Sequence, residues 1–260
     1  MRIIIPTKGR ISNQLTYQNL PEELRKQTTF VCPQSEGFWL EQKYPAAKVI
    51  RQLDPNMRIG DKRKWIMDTT EEEKIVMLDD DLRFAVRRDD NPGLFRKAEP
   101  ADISRAFFEL GEILSPEVAH GGFSVRGSGI GTSAKKGGWQ ISGKRMQYSL
   151  GYHVPTVNAN ASFGRLNSRE DMDVTLQLLT KGYPNAVNFS FVTDQKFGNP
   201  GGCTAERVIE LADIDALALV GYFPQFVTAV QKEYKDSPNR LEVVCQWQKA
   251  LDYGYTIRGE

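Results

Sequence analysis

The chain has 260 residues, a formal net charge of +1, 40% hydrophobic residues and 26% charged residues, which is ordinary for a globular chain with a sizeable core. No apolar run approaches the roughly 20 residues that a membrane span requires, and the run at residues 3–5 is too short for a signal peptide. The three cysteines are widely spaced and form no metal-ligand pattern, so they indicate a reducing, cytoplasmic setting.

The first part of the chain alternates apolar strands with helical segments. Strands and helices or turns are predicted at residues 2–6, 14–20, 22–26, 29–32, 38–44 and 47–50. This alternation favours a mostly parallel, layered sheet. The loop after the first strand contains Thr7, Lys8, Gly9 and Arg10. Two cations and a glycine at that place are suited to holding an anion against the backbone.

A helix with a basic first turn is predicted at residues 59–68. Gly60 and Asp61 stand where the helix begins, and Lys62, Arg63 and Lys64 follow them. Cations in a first turn oppose the helix dipole unless they share an anion with the helix N-terminus. The sequence therefore favours a diphosphate or nucleotide contact at this turn.

The next strand, predicted at residues 75–78, ends in Asp79, Asp80 and Asp81. Three adjacent carboxylates repel one another unless a cation or several donors neutralise them. Mg²⁺ or Mn²⁺ that shares a substrate phosphate is the obvious candidate, at the strand end where open α/β sheets bind ligands. Because side chains alternate along an extended chain, Asp79 and Asp81 are the predicted pair and Asp80 is predicted to point away. Considered without the rest of the chain, the triplet is also compatible with an acidic turn that is exposed to solvent and binds no metal.

Residues 102–114 show the spacing of an amphipathic helix. A glycine-rich segment follows at residues 120–131. Its glycines match neither a dinucleotide fingerprint nor a P-loop, so the segment is predicted to be a mobile loop that approaches a ligand.

Residues 118–169 contain no Asp or Glu and seven Lys or Arg, which leaves a net charge of about −6 on the rest of the chain. An acid-free basic tract that contains aromatic residues is suited to a polyanion with stacked bases. A basic loop that meets only substrate phosphates or water is the alternative. The candidate acceptor-binding residues are Arg126, Lys135, Lys136, Trp139, Lys144, Arg145, Tyr148 and Arg169.

A second acidic group, Glu170 and Asp171, begins a helix predicted to end at Gly182. Good capping alone explains acids at this place, and that alternative stays open. A strand is predicted at residues 185–192 and a turn at residues 198–202. Three further helices, which would form a C-terminal subdomain, are predicted at residues 205–219, 226–234 and 240–251.

These elements, in this order, resemble the GT-A glycosyltransferases. Asp79 and Asp81 correspond to the DxD motif of that family, and Arg169, Glu170 and Asp171 correspond to its x-E-D motif. The resemblance covers residues 1–200. It implies an α/β, GT-A-like (Rossmann-like), mostly parallel mixed sheet flanked by helices at residues 1–203, followed by the helical subdomain at residues 204–260.

The resemblance also implies the roles of individual residues. Asp79 and Asp81 would hold Mn²⁺ or Mg²⁺ on a nucleotide sugar, a UDP-sugar in particular, and Asp171 or Glu170 would be the general base. Many members carry a late histidine as a metal ligand, whereas His120 and His153 both precede the x-E-D motif. Asp194, a water or a more loosely held metal is therefore expected there. The implied donor-binding residues are Thr7, Lys8, Arg10, Lys62, Arg63, Asp79 and Asp80.

More narrowly, the chain is similar to the bacteriophage glycosyltransferases, associated with TET-like hydroxylases, that decorate hydroxymethylated DNA bases. This implies DNA with 5-hydroxymethylcytosine as the acceptor, the host cytoplasm as the location, and a base pocket lined by Trp139, Tyr148 or Tyr152. The alternatives are a GT-A enzyme acting on a saccharide or protein, a nucleotidyltransferase that releases pyrophosphate, and a non-catalytic DNA-binding module.

Overall fold

A computed structural model describes residues 1–127, 131–195, 209–233 and 240–259 of the protein. The sheet strands are β1 (Arg2–Pro6), β2 (Thr28–Pro33), β3 (Lys48–Gln52), β4 (Lys74–Leu78), β5 (Leu82–Arg87), β6 (Phe95–Lys97), β7 (His120–Val125), β8 (Trp139–Ser142), β9 (Ser149–His153) and β10 (Asn185–Gln195). A separate hairpin consists of β11 (Val227–Lys232) and β12 (Arg240–Cys245). The helices are α1 (Leu15–Asn19), α2 (Glu22–Arg25), α3 (Gln34–Lys43), α4 (Ile59–Thr69), α5 (Pro100–Ile113), α6 (Thr132–Lys136), α7 (Val154–Asn160), α8 (Glu170–Leu179), α9 (Ile209–Tyr222) and α10 (Trp247–Arg258). None of these described helices is long and apolar enough to cross a bilayer.

The strands lie in the order β3-β2-β1-β4-β9-β7-β10-β5-β6, and β8 pairs with β10. β1, β2, β3 and β4 are parallel to one another, whereas β9, β5, β6 and β8 each run antiparallel to their neighbours. The predicted mostly parallel mixed sheet flanked by helices is thus confirmed. The acidic triplet connects β4 to β5, so it lies where the parallel half of the sheet meets the mixed half. Open α/β sheets bind ligands at such changes of strand order.

Side chains alternate between the two faces along the central strands, and both faces of the sheet are buried. Ile3 and Ile5 of β1 pack in one core with α1 and α5, while Ile4 packs in the opposite core with α4 and α8. Val76 of β4 belongs to the first core and Met77 to the second. Such strands are near-continuous apolar runs, which is the usual pattern of parallel strands covered on both sides.

A bulge in β10 brings its last residues to the acidic triplet. The register with β7 shifts between Asn188 and Val192, and Asn188 Oδ1 accepts hydrogen bonds from two backbone amides of the bulge. The first part of β10 pairs with β8 and the last part with β5, which places Gln195 opposite Leu82. A β-bulge commonly re-aims a strand in this way beside a functional site.

The prediction of a mobile loop over residues 120–131 is wrong for its first half, because residues 120–125 form the interior strand β7; residues 128–130 lie outside the described part. The glycines serve close strand packing. A Cβ on Gly121 would lie 2.8 Å from the carbonyl oxygen of Ala186, and one on Gly122 would overlap the carbonyl oxygen of Ser149. Glycine inside a strand often marks such a close backbone approach.

We expect Gly122→Ala to lower the free energy of unfolding by about 2–4 kcal/mol, because backbone on the neighbouring strand cannot move away as a side chain can. Gly127→Ala is the matched control, since a Cβ there meets nothing within 4 Å. Urea unfolding of both variants measures the difference. Equal stability of the two variants would show that the sheet absorbs the added methyl group.

The C-terminal part is not all helical, and the helices predicted at residues 226–234 and 240–251 are wrong. β11 and β12 form a hairpin there, and the last helix, α10, begins at Trp247. Val227, Val230 and Val243 favour strands because β-branched side chains fit a pleated surface. The turn predicted at residues 198–202 and the start of the helix predicted at residue 205 lie outside the described residues, and the domain boundary at residue 203 stays a prediction.

Candidate active site

Four hydrogen bonds hold the backbone of the acidic triplet and of the residue after it, one of them from the Thr16 amide to the carbonyl of Asp80 at 3.1 Å. Thr16 Oγ1 donates to the carbonyl of Asp79 at 2.5 Å and accepts from the amide of Leu82 at 2.8 Å. The amide of Asp79 donates to the carbonyl of Tyr148 at 3.0 Å. These bonds join the triplet to α1 on one side and to the residue before β9 on the other. The position of the three carboxylates is therefore set by the surrounding fold.

The prediction that Asp80 points away from Asp81 is wrong. β4 ends at Leu78, and Asp80 and Asp81 turn toward one guanidinium: Arg10 Nη1 contacts Asp80 Oδ1 and lies 2.9 Å from Asp81 Oδ2. Alternation fails because the chain is no longer extended here. Burial would lower the pKa of Arg10, but the two carboxylates outweigh burial and raise it.

Further donors complete the shell around Asp80 and Asp81. Thr7 Oγ1 donates to Asp80 Oδ2 at 2.6 Å, and Gln195 Nε2 donates to Asp81 Oδ1 at 2.9 Å. Burial raises the pKa of Asp80, while Thr7 and Arg10 oppose that rise. Gln195 is thus a site residue that the sequence prediction missed. Had the predicted strand at residues 185–192 been extended to residue 195, Gln195 would have been placed at the carboxyl end of a strand, where ligands bind.

Arg63 joins the two predicted acidic motifs. Its Nη2 lies 2.9 Å from Asp79 Oδ1 and its Nη1 lies 2.5 Å from Glu170 Oε1, and only 5% of the Arg63 side chain is exposed. Burial would lower the pKa of Arg63, but Glu170 and Asp79 together raise it. Residues that are far apart in the sequence therefore meet at one buried guanidinium.

Burial strongly perturbs both partners of Arg63. It raises the pKa of Glu170 to about 7 and that of Asp79 to about 6, in each case against the opposing charge of Arg63. Perturbed carboxyls clustered at a strand end are typical of functional sites. Glu170 is committed to Arg63, whereas the neighbouring Asp171 is half-buried. The charge of Asp171 acts on Arg63, Asp79 and Glu170, so Asp171 lies beside this cluster.

Among the described residues other than glycine, those with positive φ are Tyr148 (φ 62°) and Arg169 (φ 60°). Tyr148 supplies the carbonyl that holds Asp79, and Arg169 immediately precedes Glu170 as the N-cap of α8. Left-handed backbone costs about 1–3 kcal/mol for such residues and clusters at functional sites. Strain thus occurs next to both acidic motifs.

The predicted donor-binding cations are all turned toward protein atoms. Lys8 Nζ donates to the carbonyl of Pro55 at 3.0 Å, and Lys62 Nζ donates to the carbonyl of Thr7 at 3.3 Å. The amide of Gly9 donates to the Glu36 carboxylate. Arg63 near the start of α4 opposes the helix dipole, which suggested that it binds a nucleotide. Asp79 and Glu170 already neutralise this cation, so they explain its position. The donor contacts of these residues stay predictions.

The predicted acceptor residues occupy different places. Burial raises the pKa of the Cys245 thiol to about 12, while the charges of Arg145 and Arg169 lower it and that of Asp171 raises it. The Arg169 guanidinium donates to the carbonyls of Ala212 and Leu241, which ties α8 to the C-terminal part.

The remaining predicted acceptor residues lie farther along the sheet or at its edge. Lys135 and Lys136 are exposed on α6, and Lys144 follows β8. Trp139 is fixed by a hydrogen bond from Nε1 to Glu109 at 2.8 Å. Arg126 pairs with Asp194 at 3.2 Å. A contact of these residues with DNA stays a prediction.

Tyr152 was predicted to line a base pocket, but its ring is fully buried and packs against Phe163. Its hydroxyl has no hydrogen-bond partner in the described structure, and burial raises its pKa. The phenol therefore belongs to the core beside α8, and a base cannot stack on it in this arrangement.

The carboxylates of the acidic triplet fit a divalent cation whose remaining ligands come from the substrate and water. No group of three or more His, Cys, Asp or Glu side chains in the described part of the chain could hold a metal ion alone. Mg²⁺, however, commonly binds one or two carboxylates together with substrate phosphates and waters. Asp79 keeps 25% of its side chain exposed, whereas the Asp81 side chain is 4% exposed and accepts from Arg10 and Gln195. Each carboxylate has about four lone-pair sites, so both keep acceptor capacity, and that of Asp79 is the more accessible.

Asp194, the residue expected at the place of the missing histidine, has a partner in the chain, and its role as a metal ligand stays a prediction. Its carboxylate pairs with Arg126, while the next residue, Gln195, reaches Asp81. Side chains alternate along β10, so the two residues point to opposite faces.

Glycosyltransferases are among the solved structures that share this fold. S. aureus TarS shares 14% identity and a TM-score of 0.52 over 85% of this chain and 66% of that chain, slightly less than two thirds of its length. The same TarS fragment in complex with UDP-GlcNAc shares 15% identity and a TM-score of 0.52, over 85% and 67% of the two chains. Glucosyl-3-phosphoglycerate synthase from Mycobacterium tuberculosis, in complex with Mn²⁺, UDP and phosphoglyceric acid, shares 10% identity and a TM-score of 0.52, over 94% and 86%.

No curated protein sequence matches the chain. The sequence model of one family, the TET-associated glycosyltransferases, matches residues 1–201, which is more than half of the chain. This match agrees with the fold that the chain shares with those solved glycosyltransferases. The chain belongs to the TET-associated glycosyltransferase family.

Proposed function

We propose that this glycosyltransferase moves a sugar from a UDP-sugar to the hydroxymethyl group of 5-hydroxymethylcytosine, or a related hydroxymethylated base, in phage DNA. One observation carries the proposal: Arg63 bridges Asp79 and Glu170, which brings a DxD-like motif and an x-E-D-like motif to one site. The family membership supports the acceptor, and the UDP-GlcNAc bound by TarS supports the donor.

Asp79 and Asp81 would hold Mn²⁺ or Mg²⁺, which, when bound, supplies Lewis-acid stabilisation of the leaving diphosphate. Arg10 and Arg63 keep the carboxylates together by offsetting their mutual repulsion. Thr7 and Gln195 fix the orientation of Asp80 and Asp81. The site is therefore preorganised before the donor arrives, which lowers the reorganisation needed during reaction.

Asp171 acts as the general base in this proposal. It takes the proton of the acceptor hydroxyl as that oxygen bonds to the anomeric carbon, and the bond from this carbon to the diphosphate oxygen breaks. Such a single displacement inverts the anomeric centre. A base inside a duplex must leave the stack, or be single-stranded, to reach this carboxylate. The acceptor also fits the proposed location, the host cytoplasm, where phage DNA is present.

The test is to incubate the protein with DNA containing 5-hydroxymethylcytosine, Mn²⁺ and a panel of nucleotide sugars, and then to weigh the nucleosides by mass spectrometry. We expect one nucleoside to gain the mass of one sugar, and Asp81→Ala or a chelator to abolish that gain. Asp89→Ala is the matched control, because Asp89 is an exposed acid in the turn after β5.

Other outcomes would identify the alternatives. If the protein transfers sugar to simple saccharides at a rate that high salt does not change, and does not transfer sugar to DNA, the acceptor is a saccharide. Release of pyrophosphate would indicate a nucleotidyltransferase. If no nucleotide sugar binds in the presence of metal, the protein is not a glycosyltransferase of this type.

A further inference from the structure

A cleft of about 400 Å³ lies beside β5 and β6, outside the cluster of catalytic acids. α1, the start of α5 and the last residues of β7 and β10 complete its walls. Its volume is within the range of ligand-binding clefts, roughly 300–1,000 Å³. Its charged lining residues are Arg83, Arg96, Lys97, Arg126 and Asp194.

The described lining of the cleft is strongly basic, with four cations and one carboxylate. Arg126 is paired with Asp194 at 3.2 Å, and Arg96 is paired at 2.5 Å with Asp102, outside the cleft. Arg83 and Lys97 are exposed and form no ion pair with any described residue. The cleft thus has uncompensated positive charge that an anionic ligand would neutralise.

The cleft has a partly apolar wall that holds one of its cations in place. The guanidinium carbon of Arg126 lies 5.1 Å from the centre of the Phe95 ring; that of the buried Arg87, which does not line the cleft, lies 4.8 Å from the same ring. Cation–π contacts of this kind orient arginines beside an aromatic face. The same half-buried ring offers a surface against which a sugar or base can pack.

The cleft begins next to the catalytic carboxylates. Arg83 is two residues after Asp81, which is a separation of about 7 Å along a strand. Asp194 and Gln195 are neighbours on β10 with side chains on opposite faces, and it is Gln195 that donates to Asp81 at 2.9 Å. Arg83 is therefore the charged lining residue nearest to Asp81 along the chain. The cleft lies on the β5 and β10 side of the triplet, whereas Thr7 and Arg10 lie on the β1 side. A long acceptor that reaches the triplet from the side away from β1 would cross this cleft.

We propose that the cleft binds the phosphodiester backbone of the acceptor DNA strand, next to the nucleotide that receives the sugar. This inference rests on the proposed function. A nucleic acid backbone carries regularly repeated charges, and exposed arginines and lysines bind it without reading its sequence. Contacts of this type position the substrate, so the cleft would lower KM for DNA without taking part in sugar transfer.

The test uses fluorescence anisotropy with a labelled DNA oligonucleotide that lacks hydroxymethyl groups, which separates binding from chemistry. We expect Arg83→Glu and Lys97→Glu each to weaken binding at least about fivefold at roughly 0.1 M salt, and to reduce the slope of affinity against salt by about one. Lys26→Glu is the matched control, because it changes the net charge equally at an exposed residue directly after α2. Both cleft positions are exposed, so the fold should tolerate the changes.

Two further measurements separate failure of the cleft from failure of the proposed function. If the wild-type chain glycosylates hydroxymethylated DNA but Arg83→Glu and Lys97→Glu bind DNA as well as Lys26→Glu does, the cleft proposal is overturned and the function stands. If the wild-type chain binds a UDP-sugar but neither binds nor modifies DNA, both proposals fall. Weaker DNA binding with unchanged UDP-sugar binding supports the cleft.

Discussion

Asp171→Asn is expected to slow sugar transfer by about 10²- to 10⁴-fold while binding of the nucleotide sugar stays nearly unchanged. Asparagine keeps the shape of the side chain but cannot accept the proton of the acceptor hydroxyl. The loss should therefore appear in kcat, since the contacts that hold the donor are made by other residues. Transfer rates and calorimetric titration of UDP-sugar measure the two quantities separately.

The choice of base is tested by comparing Asp171→Asn with two isosteric changes on the same helix. Glu170→Gln should cost less in kcat, because Glu170 is paired with Arg63 and its task is to hold that guanidinium. Asp173→Asn is the structural control, because Asp173 is buried and paired with Arg165. Asp173→Asn should lower the free energy of unfolding. At temperatures below its melting temperature, its kcat should equal that of the wild-type chain. A larger loss in Glu170→Gln than in Asp171→Asn would assign the base to Glu170.

The sequence was sufficient to predict the parallel half of the fold. The strands near residues 2–6, 29–32, 47–50 and 75–78 are short apolar runs, separated by helical segments, and such local patterns need no knowledge of partners. The two acidic motifs were also predictable, because acids at a strand end and at a helix start are local features. Their meeting was only implied by the resemblance to GT-A enzymes.

The sequence could not show what Arg63 does. Its two partners, Asp79 and Glu170, lie 16 and 107 residues away. From local information, a cation in the first turns of a helix predicts an anionic ligand. The structure supplies two carboxylates of the same chain instead. The same limit applies to Asp80, since the turn that breaks the alternation depends on Thr16, which binds the triplet from α1.

The mixed half of the sheet was harder to predict. β5 follows the acidic triplet with no turn residue before it, and β7 contains glycines, which usually indicate a loop. The strand conformation of this half, β9 included, depends on pairing with distant segments, such as Gly121 with Ala186 and Val76 with Gly151. The hairpin formed by β11 and β12 is a related case, in which tertiary context decides between helix and strand.

Arg63→Met is expected to lower the free energy of unfolding at pH 8 by about 3–5 kcal/mol, because it leaves two buried carboxylates without their counter-charge. Methionine is apolar and ends about where the arginine Nε lies, so the change removes the guanidinium and its charge but keeps the stem of the side chain. Lys64→Met on the same helix is the matched control: Lys64 is half-exposed, and its ion pair with Asp68 contributes at most about 1 kcal/mol. Urea unfolding at pH 5 and pH 8 measures both variants.

The pH dependence follows from the raised pKa values. In the folded chain Glu170 and Asp79 have pKa values of about 7 and about 6, above their ordinary values, so the folded state binds protons more tightly than the unfolded state. Their contribution to stability is therefore most favourable below about pH 4 and falls as pH rises toward about 7. Without Arg63 both pKa values should rise further. The carboxyls of Arg63→Met will then be neutral at pH 5, where the loss of stability should be smaller than at pH 8.

The double variant Arg63→Met/Glu170→Gln separates charge from packing. If the loss in Arg63→Met comes from unpaired carboxylates, replacing Glu170 by a neutral amide should restore part of the stability at pH 8 and little at pH 5. The two changes would then be non-additive, as expected for groups in direct contact. An equal loss at both pH values, with no recovery in the double variant, would mean that Arg63 stabilises the chain by packing and that its link between the acidic motifs is incidental.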